Sequence, residues 1–314
     1  MDIPDFRPLV AIVGATATGK TALAAKLASA LPSVLISADS RQLYRGMDIV
    51  PGKDQPADHP LAGIDILNPE DAGSVAVWRH AVTPTLKKTW GEGRLPIVVG
   101  GTGLYVKALL EDLSTLAIQP DADLRKKLQK ASVVELQIAV ADLAPARYAS
   151  LNESDRQNPR RLLRALEIAR AVDKDPHSSD KEHLPTQAFL LGLRYQTEEH
   201  QRAAIHTRVL ARLEDGALDE TRGLAMRASP QALSALGYAQ IGAYLAGACT
   251  YSEMVEAWVQ AEMNYTKRQK TWFAKMTGIT WYEVESLEVA QVVQHVKAWY
   301  DSLKEAKTYA STKN

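Results

Sequence analysis

The stretch LVAIVGATATGKTALAAKLA, Leu9 to Ala28, decides the fold. It reads as an apolar strand, a loop of small residues ending in Gly-Lys-Thr, and an alanine-rich helix. From Gly14 to Thr21 the loop fits G-x-x-x-x-G-K-[ST] in the strand–loop–helix context the pattern requires. Gly14 and Gly19 let the backbone turn tightly, so that consecutive N–H groups from Ala15, Thr16, Ala17 and Thr18 onward can point at phosphate oxygens. Lys20 adds a point charge, and the Thr21 hydroxyl is placed for Mg²⁺. Such a loop holds a phosphorylated ligand without saying what is done to it.

Around this loop the pattern is that of an α/β protein. Strands are expected over Leu9–Val13, Ser33–Ser37 and Leu95–Gly101, with helices over Lys20–Leu31 and Val75–Trp90. This alternation predicts a parallel sheet covered by helices. After about Leu116 the apolar spacing is helical through Val172, and Asp173–Thr186 reads as a flexible polar loop. Ala188–Tyr195 then returns the chain to the sheet, followed by helices over Glu198–Met226, Gly237–Ala246 and Ser252–Met276. The fold class is therefore a P-loop parallel sheet core with a helical insertion domain and C-terminal helices. The core is expected over 1–118 and 185–314, and the insertion over 119–184.

At 314 residues the chain can bury a substantial core, and 46% hydrophobic with 24% charged residues is ordinary for a globular protein. No run is apolar and long enough to span a bilayer, and MDIPDFRP is unlike a signal peptide, so a cytoplasmic protein with no membrane partner is expected. A monomer is also expected. The single cysteine, Cys249, excludes an intrachain disulfide framework and a Cys-rich zinc site. Charge balances at 37 basic and 37 acidic residues, so any polyanion partner must meet a local patch. Two patches stand out, Arg156–Arg170 and Tyr265–Lys275.

The third strand ends in Gly-Gly-Thr, where a nucleoside-triphosphatase would carry its metal-holding carboxylate. The acid at a strand end is instead Asp39, in LISADSRQLY. It is a metal acid of a small-molecule kinase, a base and acceptor aimed at a substrate beside the phosphate site, or the N-cap of a short helix. Ser40, Gln42 and Tyr44 favour a binding role, because Gln suits an adenine edge and Tyr offers a stacking face.

GATATGKT, DSRQLY, GGTGLY, NPRRLLRALE and KRQKTWF occur in this order from about Leu9 to Phe273. Together they resemble the tRNA dimethylallyltransferases, also called isopentenyl-tRNA transferases. The resemblance implies that Gly14–Thr21 grips the diphosphate of dimethylallyl diphosphate with Mg²⁺. The prenyl group then passes to the N6 amine of an adenosine beside the anticodon of a tRNA anticodon stem-loop. Asp39 matches the family's base, Thr102 a residue approaching the reaction centre, and Arg212 the arginine meeting the diphosphate, with Arg208 one turn away. The resemblance also implies tRNA contacts from Asp39, Ser40, Arg41, Gln42, Thr102, Arg125, Arg160, Arg161, Arg164, Gly237, Tyr238, Lys267 and Arg268. Asn158 and Pro159 mark a helix start. The basic helix is expected to bury Trp272 and Phe273 and to offer Lys267, Arg268 and Lys270 to phosphates.

The chain departs from the family pattern in places. Ala15 stands for proline and Thr18 for serine in the loop. Ala62 and Gly63 stand where paired histidines are usual, and Ser234 and Ala239 replace basic residues flanking Gly237–Tyr238. An adenylate isopentenyltransferase acting on free AMP, ADP or ATP shares the loop and the base-binding acid. A P-loop small-molecule kinase would leave GGTGLY and the arginines without a role.

Overall fold

The computed structural model describes residues 6–111, 115, 118, 120–174 and 187–312. In chain order the first elements are β1 (Pro8–Gly14), α1 (Lys20–Ala30), β2 (Ser33–Ser37), β3 (Leu61–Ala62), α2 (Val75–Gly91), β4 (Leu95–Val99) and α3 (Gly103–Leu110). A helical segment follows: α4 (Ala122–Leu128), α5 (Val133–Leu143), α6 (Pro145–Ser150), α7 (Glu153–Arg156) and α8 (Pro159–Lys174). The chain then forms β5 (Gln187–Arg194), α9 (Glu198–Glu214), α10 (Ala217–Leu224), α11 (Tyr238–Leu245), α12 (Tyr251–Phe273), β6 (Ile279–Glu283) and α13 (Val289–Thr312). It divides into two compact units, Met1–Glu111 with His183–Asn314, and Asp112–Glu182.

The first unit is built on one parallel sheet of six strands in the order β3-β2-β4-β1-β5-β6. Its central strand β1 is apolar throughout because both faces are covered. The side chains alternate: Leu9, Ala11 and Val13 join one buried cluster, Val10 and Ile12 the other. The first cluster takes in Trp78 of α2 and Met254, Val255, Trp258 and Phe273 of α12. The second takes in Leu23 and Leu27 of α1 and Val292, Val296 and Tyr300 of α13. All strands run the same way, so the loops after β1, β2 and β4 emerge at one edge, where open α/β sheets bind ligands.

The second unit packs Leu124 of α4, Leu136 and Val140 of α5, and Leu162, Ala165 and Leu166 of α8. Its helices start where short polar side chains satisfy free N–H groups: Asp121 accepts from Leu124 N, and Ser132 and Glu135 form a capping box. Asn158 Oδ1 accepts from the Arg160 and Arg161 amides, with Pro159 at the first position of α8. Buried Glu167 accepts from Arg125 Nε (2.6 Å), Arg164 Nη1 (3.1 Å) and the Asp121 amide (3.1 Å). Burial works against the Glu167 charge, but these donors outweigh it and hold the carboxyl below its usual range.

Several elements differ from expectation. The helix expected over Glu198–Met226 is two, broken at Gly216, whose φ of 106° lies in the left-handed region. The third strand stops at Val99, freeing Gly100 and Gly101 to turn toward the site. Of the expected polar loop, Asp173 and Lys174 belong to α8, and 175–186 lie outside the described residues. The short edge strands β3 and β6, and helices α3 and α13, are additional to the sequence reading. Among the described residues no helix is long and apolar enough to cross a membrane.

Gly237 and Tyr238 are packing residues. A Cβ at Gly237 would lie 2.6 Å from the Trp258 ring, and φ there is 111°. Tyr238 is buried and its hydroxyl donates to Glu220 Oε1 (2.7 Å). The same carboxylate accepts from the amides of Asp48 (2.7 Å), Ile49 (2.7 Å) and Val50 (3.0 Å), fixing the loop that carries Gly52 into the site. Replacing Glu220 with Ala leaves these donors unpaired and should cost about 2–4 kcal/mol. The urea midpoint measures this, and a loss below about 1 kcal/mol contradicts the assignment.

Candidate active site

The phosphate-type loop is held in shape by strained glycines and by side chains from two distant helices. At Gly14 φ is 144°, and a Cβ would sit 2.3 Å from the Leu193 carbonyl oxygen of neighbouring β5, so only glycine fits. Gly19 (φ 78°) turns the chain into α1, and Ala17 is also left-handed (φ 62°). Thr18 Oγ1 donates to Ala15 O (3.0 Å), and Tyr195 donates to Ala17 O (3.1 Å). Gln201 of α9 donates to Thr16 O (2.7 Å), and Gln269 of α12 accepts from Thr16 N (3.0 Å). The Thr16 amide, expected to face phosphate, is therefore already engaged.

Three cations converge here. Lys20 Nζ donates to Ala15 O (2.6 Å). Arg208 Nη1 donates to Thr16 Oγ1 (3.2 Å), while its Nη2 pairs with Asp54 (2.7 Å). Arg212 is buried, with Nη1 on Glu262 (3.2 Å) and Nη2 on Pro51 O (3.4 Å), and its Nε has no partner. Burial, then the nearby Arg208 charge, pulls the Lys20 ammonium down to about 8. The same two causes, in the same order, bring Arg212 to about 10. Both shifts mark cations held together out of water, an arrangement that an anion relieves.

Across the cavity stands the loop after β2. Asp39 Oδ1 accepts from Arg41 N (2.9 Å) in a tight turn, so it caps no helix. Thr102 Oγ1 accepts from Ser40 N (3.1 Å), tying this turn to the loop after β4. Tyr265 of α12 lines the same cavity, and burial, then the Asp39 charge, pushes its hydroxyl pKa up to about 12. Lys20, Thr21, Asp39, Arg212, Tyr265 and Arg268 line one cavity of about 690 Å³. That volume suits a small phosphorylated molecule together with a base.

A family model described as IPP transferase matches residues 42–276. The chain belongs to the IPP transferase family. It is 36% identical over 302 residues to a tRNA dimethylallyltransferase of Shouchella clausii, covering 93% of this chain and 96% of that protein. The same description is carried by a Pelotomaculum thermopropionicum protein, 36% identical over 91% of this chain and 94% of its own. Among solved structures, the full-length tRNA isopentenylpyrophosphate transferase of Bacillus halodurans is similar, with TM-score 0.69, 30% identity, and 98% and 99% of the two chains covered. A eukaryotic dimethylallyltransferase acting on tRNA shares the fold, with TM-score 0.72 at 20% identity over 88% of this chain and 74% of that one.

Within this family member, not every expected residue is free to bind. Gln42 lines the cavity, but its Oε1 accepts from Ser37 Oγ (2.6 Å) and its Nε2 donates to Gly52 O (3.0 Å), so it shapes the wall. Tyr44 is buried in the core and offers no stacking face. Arg41 spans to Gln231 O (3.1 Å) and Ser234 Oγ (2.8 Å), so Ser234 accepts where a basic residue was expected. In the helical unit, Arg125 and Arg164 hold Glu167, Arg164 also bonds Thr115 O and Ile118 O (2.7 Å each), and Arg161 pairs with Asp155. Arg160 is exposed. On α12, Lys267 is exposed and 4.0 Å from Glu198, and Arg268 lies over the Tyr265 ring. Phe273 is buried as expected, but Trp272 is exposed, contrary to expectation, because it lies off the stripe of α12 that packs into the core.

Tyr265, Glu262, Gln269 and Gln201 escaped the sequence reading as site residues. For three of them the signal was there: Gln201, Glu262 and Gln269 are polar residues on the mostly apolar buried stripes of α9 and α12, whereas Tyr265 lies beside its stripe. Lys20 gives the site a predictable pH response. A bound diphosphate favours the charged ammonium and raises its pKa, so binding above about pH 8 must take up a proton. Calorimetry with pyrophosphate in buffers of different ionisation enthalpy should show, above about pH 8, proton uptake beyond that of the ligand's own ionisation, and Lys20→Met should abolish the excess. No excess uptake in the wild type contradicts the assignment.

Proposed function

We propose that this protein transfers a dimethylallyl group from dimethylallyl diphosphate to the N6 amine of the adenosine 3′-adjacent to the anticodon in tRNA, releasing diphosphate. The observation that carries the reading is the meeting, in one cavity, of a cation cluster (Lys20, Arg208 and Arg212) with the Asp39 carboxylate, whose turn Thr102 holds through Ser40 N. Cleaving an allylic C–O bond places charge on the diphosphate oxygen, and Lys20, Arg208, Arg212 and the loop amides beyond Thr16 oppose that charge. The adenine amine is a weak nucleophile that must lose a proton as the new N–C bond forms. Asp39, a carboxylate lining the cavity, accepts it. Thr102 holds the Asp39 turn through Ser40 N, and Tyr265 borders the space an adenine would fill.

The donor set suits Mg²⁺. Thr21, which lines the cavity, offers a hard hydroxyl oxygen as a donor. Mg²⁺ takes few protein ligands beside substrate phosphates and water. Bound there, it supplies further neutralisation of the leaving diphosphate. Modifying a stacked base also requires taking it out of the stack. Exposed Lys267, and Arg268 at the cavity lining, would meet the surrounding phosphates. Arg160 would add affinity in the same way, and Arg125, Arg161 and Arg164 reach RNA only by sharing or exchanging their present carboxylates.

In a transfer assay with unmodified tRNA, Asp39→Ala should lower kcat by roughly 10²–10⁴-fold. The Kd for tRNA should change by less than about threefold, a difference under 1 kcal/mol. Turnover at the wild-type rate would remove Asp39 as the proton acceptor.

A further inference from the structure

Two glutamines without a part in the chemistry above sit in the most tightly connected region of the site. Gln201 is fully buried and Gln269 nearly so. A primary amide is costly to bury unless its polar atoms are used. Gln269 uses both ends on different loops: Oε1 accepts from Thr16 N (3.0 Å), and Nε2 donates to Gly101 O (3.0 Å). Gln201 holds the other side of the same residue through Thr16 O (2.7 Å). With Arg208 on Thr16 Oγ1 (3.2 Å), every polar group of Thr16 is held by a side chain of α9 or α12. Gly101 is matched to this arrangement, since a Cβ there would lie 2.3 Å from Gln269 Nε2. The residue after Gly101 is Thr102, which bonds the Asp39 turn.

We propose that Gln269 is a positioning residue that sets the spacing between the leaving-group loop and the acceptor-side loop, with Gln201 anchoring the opposite face of the Thr16 residue. This rests on reading the cavity as the prenyl-transfer site. Gln269 acts through Thr16 and Gly101. Thr16 is the fixed point from which the amides of the following loop residues are aimed, and Gly101 carries the register to Thr102 and Asp39. In-line displacement needs the amine and the allylic carbon held at near-contact distance, and small misplacements there cost large factors in rate.

Gln269→Met keeps the length of the side chain and removes both bonds. Gln201→Met removes the anchor on Thr16 alone. Each variant would be compared with wild type in three measurements well below its own Tm: Kd for magnesium pyrophosphate, Kd for unmodified tRNA, and kcat for prenyl transfer. The expected result for Gln269→Met is a pyrophosphate Kd raised about fivefold or more and a kcat lowered about tenfold or more. Its tRNA Kd should move less than about twofold, a few tenths of a kcal/mol. Gln201→Met should weaken pyrophosphate with a smaller loss of kcat, because the link to Gly101 remains. If Gln269→Met does not fold, Gln269→Glu serves in its place: it keeps the acceptor for Thr16 N and turns a carboxylate on Gly101 O, and must likewise lose kcat. A lowered Tm with wild-type pyrophosphate affinity and kcat overturns the proposal, as does a loss confined to tRNA affinity. Should wild-type protein bind pyrophosphate yet transfer no prenyl group, the functional reading fails, and the pyrophosphate comparison alone decides the positioning role.

Discussion

Three positive charges are brought to one backbone loop, and the protein around them supplies too little negative charge to settle them. Lys20 is drawn in by the turn at Gly19, whereas Arg208 and Arg212 arrive from one face of α9. Among the described residues only Glu262 and Asp54 form ion pairs with them, and Arg212 keeps a buried N–H without a partner there. Isolated buried charge is expensive, so this cluster is retained at a cost in stability that an arriving anion offsets. The depressed pKa values of Lys20 and Arg212 express the same tension.

The surrounding architecture keeps that tension in place. The loop cannot relax, because Gly14 lies against the β5 backbone and Thr16 is pinned by α9 and α12. The far wall is equally constrained. Glu220 gathers three consecutive amides of the 48–50 segment, and Gly52 lies so close to Arg208 and Arg212 that a Cβ would fall 2.4 Å from either guanidinium. Asp39 and Thr102, on the loops after β2 and β4, are set opposite by the parallel sheet itself. A rigid frame of this kind suits catalysis by positioning and charge stabilisation.

Much of this was legible in the sequence because local rules carry it. The motif from Gly14 to Thr21 and the β2 acid Asp39 are contiguous signals whose physics is nearly independent of the rest of the chain. Apolar runs disclosed β1, β2 and β4, which are buried along most of their length, and β5, which is buried over Leu191–Leu193. Edge strands β3 and β6 are short and only partly buried, so they lack such a run. The break at Gly216 was hidden by unbroken helical periodicity on both sides. Tertiary pairing was the harder part. That Gln42 and Tyr238 would spend their polar groups on the protein, or that Gln269 would reach Thr16 across 253 residues of chain, follows from packing that no local pattern encodes.

The decisive measurement is an acceptor competition. Purified protein would receive labelled dimethylallyl diphosphate and Mg²⁺ with unmodified tRNA and AMP together, in the absence of ATP. The account predicts label on tRNA, at the adenosine following the anticodon, with stoichiometric release of diphosphate. Label on AMP, or no transfer until ATP is added and a phosphoryl group moves instead, would contradict it.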